Sequence, residues 1–523
     1  MNNSLKYFAF SMLLVAMAGC VEDSITQAVG ILPDETSMNS VGGQLYSTKT
    51  FSNEITIDMY EGDKATTDII SYALTKPATA AVTVKVVPDP TLVSEYNKKS
   101  DVTMFPFPTT NVMIGEDGVL TVPAGKTVSG SIGIALSSEG LESEKNYLLA
   151  IALAQKPTEV EDQTAKQVIY YKVSFQKKKT TFEQYGQLIE IPKDFVPGVI
   201  SVLYVNTEAY NPLIASAWGF QNYQEQKNYN IGNIVNLKRA LIGYDASSRR
   251  ALLEPGKDLA YVLEHRNKYI RLLQDYNRKV CLCIENGGKG IGFCNMNDAQ
   301  IADFVRQVKD IVNSYYLDGV NLWDDDSKYG KAGMPEMNTT SYPRLIKALH
   351  EAMPDKLLTL VDKGDATEYF YDVAKCGNIE VGKYIDYAWH GYFSLNEELQ
   401  IINPNADGSP QQYSKYARRL IAGLDENRYG SVTVVRNDMN YSFSFRDNSM
   451  VNLQKWVEEG KKKSDLLVFG TDLIGNEYQE RENSQVFTLG NYTTSFINSR
   501  SYNAFPLDPK VEQPVDNGYH KDW

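Results

Sequence analysis

Four runs in this chain carry the side chains best suited to chemistry, and the densest is LDGVNLWDDDSKYG, spanning Leu317–Gly330. Its first half is apolar enough to be a strand, and alternate residues of a strand project from one face. Asn321, Trp323 and Asp325 therefore share a face. An amide, an indole and a carboxylate in a row can hydrogen-bond hydroxyls and stack on an apolar ligand surface. Asp325 is also a candidate proton donor. The three consecutive acids Asp324, Asp325 and Asp326 could hold Ca²⁺ in a loop, but nothing else in the sequence supports that reading. The other three runs are Val205–Trp218, Glu285–Phe293 and Tyr384–Tyr392.

Strands alternating with helices must position these runs. From about residue 182, buried-strand patterns appear at Val199–Val205, Ile234–Ile242, Lys279–Glu285, Leu317–Trp323, Leu357–Asp362, Tyr384–Trp389, Val432–Val435 and Leu466–Phe469. Helical patterns lie between them, at Leu259–Tyr276 and at Asp298–Tyr316, where Asn297 or Asp298 can cap. Eight strands in this order predict an α/β fold, a (β/α)₈ TIM barrel over 182–505. Such barrels deliver their strand ends to the ligand face, which selects Asn206, Glu285, Asn286, Trp323, Asp325, Asp362, Trp389, Tyr392 and Asn437. Residues 46–178 alternate instead with a period of two, at Glu54–Tyr60, Ala81–Val87, Ser131–Leu136 and Val168–Phe175. Turn residues separate these stretches, so an N-terminal all-β, antiparallel sandwich domain is expected there. The last residues, 506–523, read as a tail.

The first nineteen residues have the form of a secretion signal. Lys6 supplies the charge, Tyr7–Met17 the apolar core, and Ala18-Gly19-Cys20 a lipobox-like end. The apolar run is shorter than the roughly 20 residues a permanent span needs. Cys20 is the expected lipid-bearing residue, anchoring an outer-membrane lipoprotein through a tether over 20–45. Glu22-Asp23 after it resembles a surface-export signal. The net charge of −13 over 523 residues, which loss of Lys6 would take to −14, argues against a nucleic-acid partner. Cys281 and Cys283 alternate on a strand, and Cys294 and Cys376 are isolated. With only four His, no zinc spacing exists, so neither a metal site nor a cofactor is expected.

The motif at Asp318–Gly330 resembles D-G-hydrophobic-D-hydrophobic-D-x-E of glycoside hydrolase family 18, in the form found in endo-β-N-acetylglucosaminidases. Asp318, Gly319, Val320, Asp324, Tyr329 and Gly330 fit it. Asn321, Trp323 and Asp325 stand where that pattern has Asp, Asp and the catalytic Glu. VNTEAYNPLIASAW, ENGGKGIGF and YIDYAWHGY resemble further stretches of the same family, covering roughly residues 182–500. The β region resembles the N-terminal domain of bacterial glycan-utilisation lipoproteins, as a spacer or an accessory binding module. The resemblance implies a substrate-assisted reaction, an exception among retaining glycosidases. In it the sugar's acetamide attacks its own anomeric carbon, an Asp supports the acetamide and the Glu protonates the leaving oxygen. It also implies that Tyr392 contacts the acetamide, with His390 where active members often carry Gln.

Trp323 cannot support a cation as a carboxylate does, a loss on the order of 10²–10³ in rate. Asp325 is shorter than Glu, and a displacement of about 1 Å can cost roughly 10²-fold. Three readings follow. One is a non-catalytic surface protein that captures N-acetylglucosamine-containing, N-linked-type glycans for a neighbouring outer-membrane importer. Its expected glycan-binding residues are Asn206, Glu285, Asn286, Trp323, Asp325, Trp389 and Tyr392. The second is an active endo-β-N-acetylglucosaminidase with Asp325 as acid, and the third a structural or adhesive protein. Asn321 lies deeper and suits packing; Trp218 suits either stacking on sugar or covering a helix.

Overall fold

The computed structural model describes residues 41–523 outside several short breaks, the longest being 436–447, 471–483 and 507–520. The signal segment, Cys20, nearly all of the expected tether and Asn437 lie outside the described residues. No helix among the described residues is long and apolar enough to cross a membrane. The chain divides into two compact units, Met1–Lys178 and Lys179–Trp523.

The first unit is built from two sheets whose apolar faces merge in one core. EITIDMY shows why: Ile55, Ile57 and Met59 point inward while Glu54, Thr56 and Asp58 point out. One sheet runs Gly43–Ser47, Thr66–Leu74, Ile132–Leu136 and Val112–Ile114; the other is centred on Glu54–Tyr60, Val168–Gln176 and Asn146–Leu153. The sheets are not wholly antiparallel as expected. Glu54–Tyr60 pairs parallel with Val168–Gln176, which is possible because over a hundred residues separate them and a parallel pair needs a long crossover. Gly43–Ser47 is a strand, so ordered pairing begins inside the stretch read as tether. The buried Asp68 carboxylate accepts from Ser47 Oγ at 2.8 Å and from Tyr171 Oη at 2.9 Å, joining the two sheets through a polar contact.

In the second unit we number eight strands β1–β8: Ile200–Asn206, Ile234–Asp245, Lys279–Asn286, Gly319–Trp323, Leu357–Asp362, Tyr387–His390, Tyr429–Gly430 continuing past Ser431 as Val432–Val434, and Leu466–Phe469. Each pairs in parallel with the next. The circuit closes at β7, whose first two residues pair with β6 and whose last three pair with β8, while β8 pairs with β1. Strands buried on both faces need apolar residues at both parities, and Gly319–Trp323 is buried throughout.

The connections depart from the expected alternation. Among the described residues no α-helix joins β1 to β2, β5 to β6 or β6 to β7. The first of these carries a hairpin, Trp218–Asn222 with Lys227–Asn230, so Trp218 lies in a strand. Leu259–Tyr276 is three short helices, Lys257–Glu264, Arg266–Tyr269 and Arg271–Asp275. The buried positions Leu259, Val262, Leu263, Tyr269, Ile270 and Leu273 keep helical phase throughout, which is why the sequence reads as one helix. The breaks come at His265, whose ψ of 36° is not helical, and at Ile270. Asp298–Ser314 is a single helix, and Asn297 caps it in a reciprocal box with Gln300. The chain's last residues are docked on this unit: Trp523 stacks on Tyr261 at 5.4 Å and its indole N–H donates to Asp258 at 3.0 Å, which corrects the expected tail at this end.

Gly319 has a packing role. A Cβ there would run into the Leu357 carbonyl and lie 2.6 Å from Leu357 Cβ on the neighbouring β5. Gly319→Ala is expected to cost about 1–3 kcal/mol through overpacking, read as a lowered urea midpoint with an unchanged m-value. A midpoint equal to that of the unaltered chain would mean β4 and β5 are not this close.

Candidate functional site

Strand parity sorts the expected residues into two groups. Those inside the ring follow Val202, Tyr204, Cys281, Cys283, Trp323, Val361, Trp389, Leu466 and Val468, which form one inner cluster. Asn321 is in this lumen, fully buried. Its Oδ1 accepts from Tyr204 Oη at 2.9 Å, its Nδ2 donates to Thr359 Oγ1 at 2.9 Å, and Trp389 Nε1 donates to Tyr204 Oη at 3.1 Å. The chain Trp389–Tyr204–Asn321–Thr359 ties β6, β1, β4 and β5 together across the ring.

Trp323 lies above this chain and is only 2 % exposed. Tyr204 meets it at 5.5 Å and Tyr392 at 5.3 Å, both edge to face. The Lys238 ammonium from β2 caps its ring at 4.7 Å. Trp389 is 1 % exposed. Both indoles fill the ring, and beside Trp323 the Lys238 side chain is 15 % exposed and Tyr392 half-buried.

Glu285, the last but one residue of β3, lies directly opposite Trp323 in the strand register and is 3 % exposed. Its carboxylate lies 3.0 Å from Lys238 Nζ and 3.5 Å from Arg239 Nη1. Burial raises its pKa, and Lys238 and Arg239 offset that only in part. For Lys238 burial works to lower the ammonium's pKa, yet the Glu285 carboxylate and its neighbours prevail and the net shift is upward. Each charge in this pair keeps the other ionised.

Asp325 sits at the rim with a 42 % exposed side chain, its Oδ1 held by Lys363 Nζ at 2.7 Å. Lys363 also lies 5.6 Å over the ring of Phe393, which is 58 % exposed and packs on Tyr416 at 5.2 Å. Asn206, half-buried at the end of β1, accepts from the Glu208 amide at 3.1 Å. The three consecutive acids have three different partners: Tyr329 Oη for Asp324 at 2.6 Å, Lys363 for Asp325, and Lys328 for Asp326 at 2.7 Å.

Two of the expected strand-end residues, Asp362 and Asn286, have the parity of the outer layer, and so does His390, which the resemblance singled out. Asp362 is buried behind β5, accepting from Thr367 Oγ1 at 2.6 Å and Tyr429 Oη at 2.8 Å. Asn286 is buried behind β3 near Asp324, whose carboxyl burial raises against hydrogen bonds that lower it. His390 is buried behind β6, where desolvation lowers its pKa and favours the neutral ring. Reading strand ends without parity placed Asp362 and Asn286 together with the lumen residues. Lys238, Lys363, Phe393 and Tyr416 were not among the expected residues. Lys238 was within reach, since it continues the alternation Ile234, Asn236, Lys238.

Because Glu285 is stranded without its partner, Lys238→Met is expected to cost about 3–5 kcal/mol at pH 7.5. A carboxyl whose folded pKa is raised takes up protons more readily in the folded state. The penalty is therefore present above that pKa and shrinks as pH falls towards the unfolded value near 4.5. Adding Glu285→Gln should recover more than half of the loss. Urea titrations at pH 7.5 and 5.5 check this, and an equal loss at both pH values would contradict it.

Comparison with known proteins follows this geometry. A family model described as a "-like, N-terminal domain" matches residues 39–160. An endo-β-N-acetylglucosaminidase of Flavobacterium sp. (strain SK1022) is 30 % identical over 238 residues, covering 45 % of this chain and 66 % of that protein. Endo-β-N-acetylglucosaminidase F1 of Elizabethkingia meningoseptica is 29 % identical over 163 residues, 31 % of this chain and 47 % of that one. The chain thus spans from about half to just under two thirds of these relatives. Among solved structures, Bacteroides thetaiotamicron EndoBT-3987 with a Man5GlcNAc product aligns over 88 % of this chain and 95 % of its own, at 19 % identity and a TM-score of 0.41. In sequence the chain is similar to endo-β-N-acetylglucosaminidases over part of their length.

Proposed function

We propose that this chain binds N-acetylglucosamine-containing glycans of the N-linked type without cutting them. We read its second unit as a (β/α)₈ barrel of the glycosidase kind in which three connections carry no α-helix among the described residues. The observation that carries the reading is the fate of the two reactive positions. The group that would support the acetamide is Trp323, buried beneath Lys238. The group that would donate the proton is Asp325, held by Lys363 at 2.7 Å. Asp325 is also one methylene shorter than the Glu of the resembled motif, and one of its oxygens is already engaged by Lys363. The separate losses, roughly 10² for the shortened acid and 10²–10³ for the missing carboxylate, multiply to about 10⁴–10⁵.

The sugar-directed part of the proposal is supported by relatives named as endo-β-N-acetylglucosaminidases and by the aromatic and charged groups at the ring mouth. The second reading, an active endo-β-N-acetylglucosaminidase, draws on the same relatives. With Asp325 as acid it requires the Lys363 pair to open. Glu285 is the other carboxyl to watch, since burial raises its pKa. Both readings share the expected address, an outer-membrane surface lipoprotein anchored through Cys20 that hands glycans to an importer. The sequence alone, from Lys6 through Ala18-Gly19-Cys20, supports that address.

Incubating the purified chain with N-glycoproteins bearing high-mannose and complex glycans separates the readings. Released glycan is measured by mass spectrometry and affinity by calorimetry. The expected outcome is saturable binding, with release at least 10⁴-fold slower than by an active endo-β-N-acetylglucosaminidase assayed alongside. Release approaching that enzyme's rate would establish the second reading. Neither binding nor release would favour a structural role.

A further inference from the structure

The same reading leaves open where the binding energy comes from, because the ring centre has no room to supply it. Trp323, Trp389 and Tyr204 are each at most 2 % exposed, and their faces and edges are spent on one another and on Lys238. A sugar ring needs a flat apolar surface for its C–H face with hydrogen-bonding groups at its edge. We propose that this platform is at the rim: Phe393 is the stacking surface for a pyranose ring of the glycan, and Asp325 and Lys363 are its polar edge.

Four features build the platform. Phe393 is 58 % exposed. Its ring packs against Tyr416 at 5.2 Å, so one side is supported and the exposed part is held in place. Glu397 fixes both aromatics. Its Oε2 accepts from the Phe393 amide at 3.0 Å, and its side chain hydrogen-bonds the Tyr416 hydroxyl, raising that phenol's pKa. Lys363 reaches over the Phe393 ring at 5.6 Å and continues to Asp325 at 2.7 Å. The exposed aromatic is therefore contiguous with a carboxylate and an ammonium, complementary to a ring of hydroxyls. An aliphatic peptide side chain would have no use for that polar edge. The ligand class is a neutral hexopyranose segment of an N-linked glycan, bound through ring stacking and hydroxyl contacts. The position that is the proton donor in the resembled motif becomes, on this view, a hydroxyl acceptor. Glu397 is a positioning residue.

Calorimetric titration of the whole chain with a high-mannose N-glycopeptide and with N,N′-diacetylchitobiose tests this. Phe393→Ala should weaken glycopeptide binding at least tenfold, and Phe393→Trp should keep it within about threefold, as expected of an aromatic anchor. Because Phe393 is exposed, the thermal midpoint of both variants should match that of the unaltered chain. Glu397→Gln should weaken binding less than Phe393→Ala, and Trp323→Phe should leave affinity within threefold. Unchanged affinity in Phe393→Ala, or a tenfold loss confined to Trp323→Phe, overturns the rim platform while sparing the glycan-binding reading. Absence of binding by the unaltered chain removes both. Glycan release by the unaltered chain would remove only the non-catalytic reading, and the Phe393→Ala effect would then be read as a raised KM with kcat little changed.

Discussion

Closing eight parallel strands into a ring dictates what this protein can place at its centre. Every second residue of each strand projects into a lumen only wide enough for side chains, so bulk and charge placed there must be accommodated by the other strands. Trp323 on β4 occupies the space, and Tyr204, Trp389 and Tyr392 close around it. Lys238 and Glu285 are the charges that come with it. Neither would be tolerated alone at this depth. As a pair 3.0 Å apart, with the indole beneath the ammonium, they offset much of each other's desolvation.

That packing explains why the retained letters of the motif are a poor guide to activity. Gly319 persists because β5 leaves no space for a Cβ. The Asp318 carboxylate accepts from the Val280 amide at 2.9 Å and from Gln274 at 2.8 Å, holding β3 and β4 together at the end of the ring away from the mouth. Asp324 and Tyr329 bond one another behind the strand. Each of these residues has a structural task that is independent of sugar chemistry. The altered positions, Asn321, Trp323 and Asp325, are the ones facing inward and upward, where chemistry would occur.

The strands were legible because burial on both faces writes a dense apolar run, and Leu357–Asp362 and Leu466–Phe469 have the bounds the sequence suggests. Apolar spacing made Asp298–Ser314 legible as a helix, and the same in-phase spacing from Leu259 to Leu273 hid the breaks at His265 and Ile270. Among site residues, Trp323, Glu285 and Asp325 could be placed at the mouth from strand ends alone. Asp362 and Asn286 could not be separated from them without counting parity from the buried cluster. Lys363 and Phe393 were harder still. Their importance lies in contacts between the loops after β5 and β6, and no local pattern encodes which loops will meet.

The pairing of Lys363 with Asp325 has a consequence for how a glycosidase-like ring can bind without turnover. A proton donor must be desolvated and free of competing cations at the moment of transfer, whereas a hydroxyl acceptor works well when a neighbouring ammonium fixes its orientation. The same carboxylate cannot be optimised for both. On the proposed reading, in which an indole fills the acetamide position, nothing in the lumen rewards placing the anomeric carbon near Asp325. Contact area is then most readily gained outward, where Phe393, Tyr416 and the Lys363–Asp325 pair adjoin and solvent has access. Specificity in such a site would come from the spacing of hydroxyls along an aromatic surface, and only weakly from the acetamide that the enzymatic reaction requires.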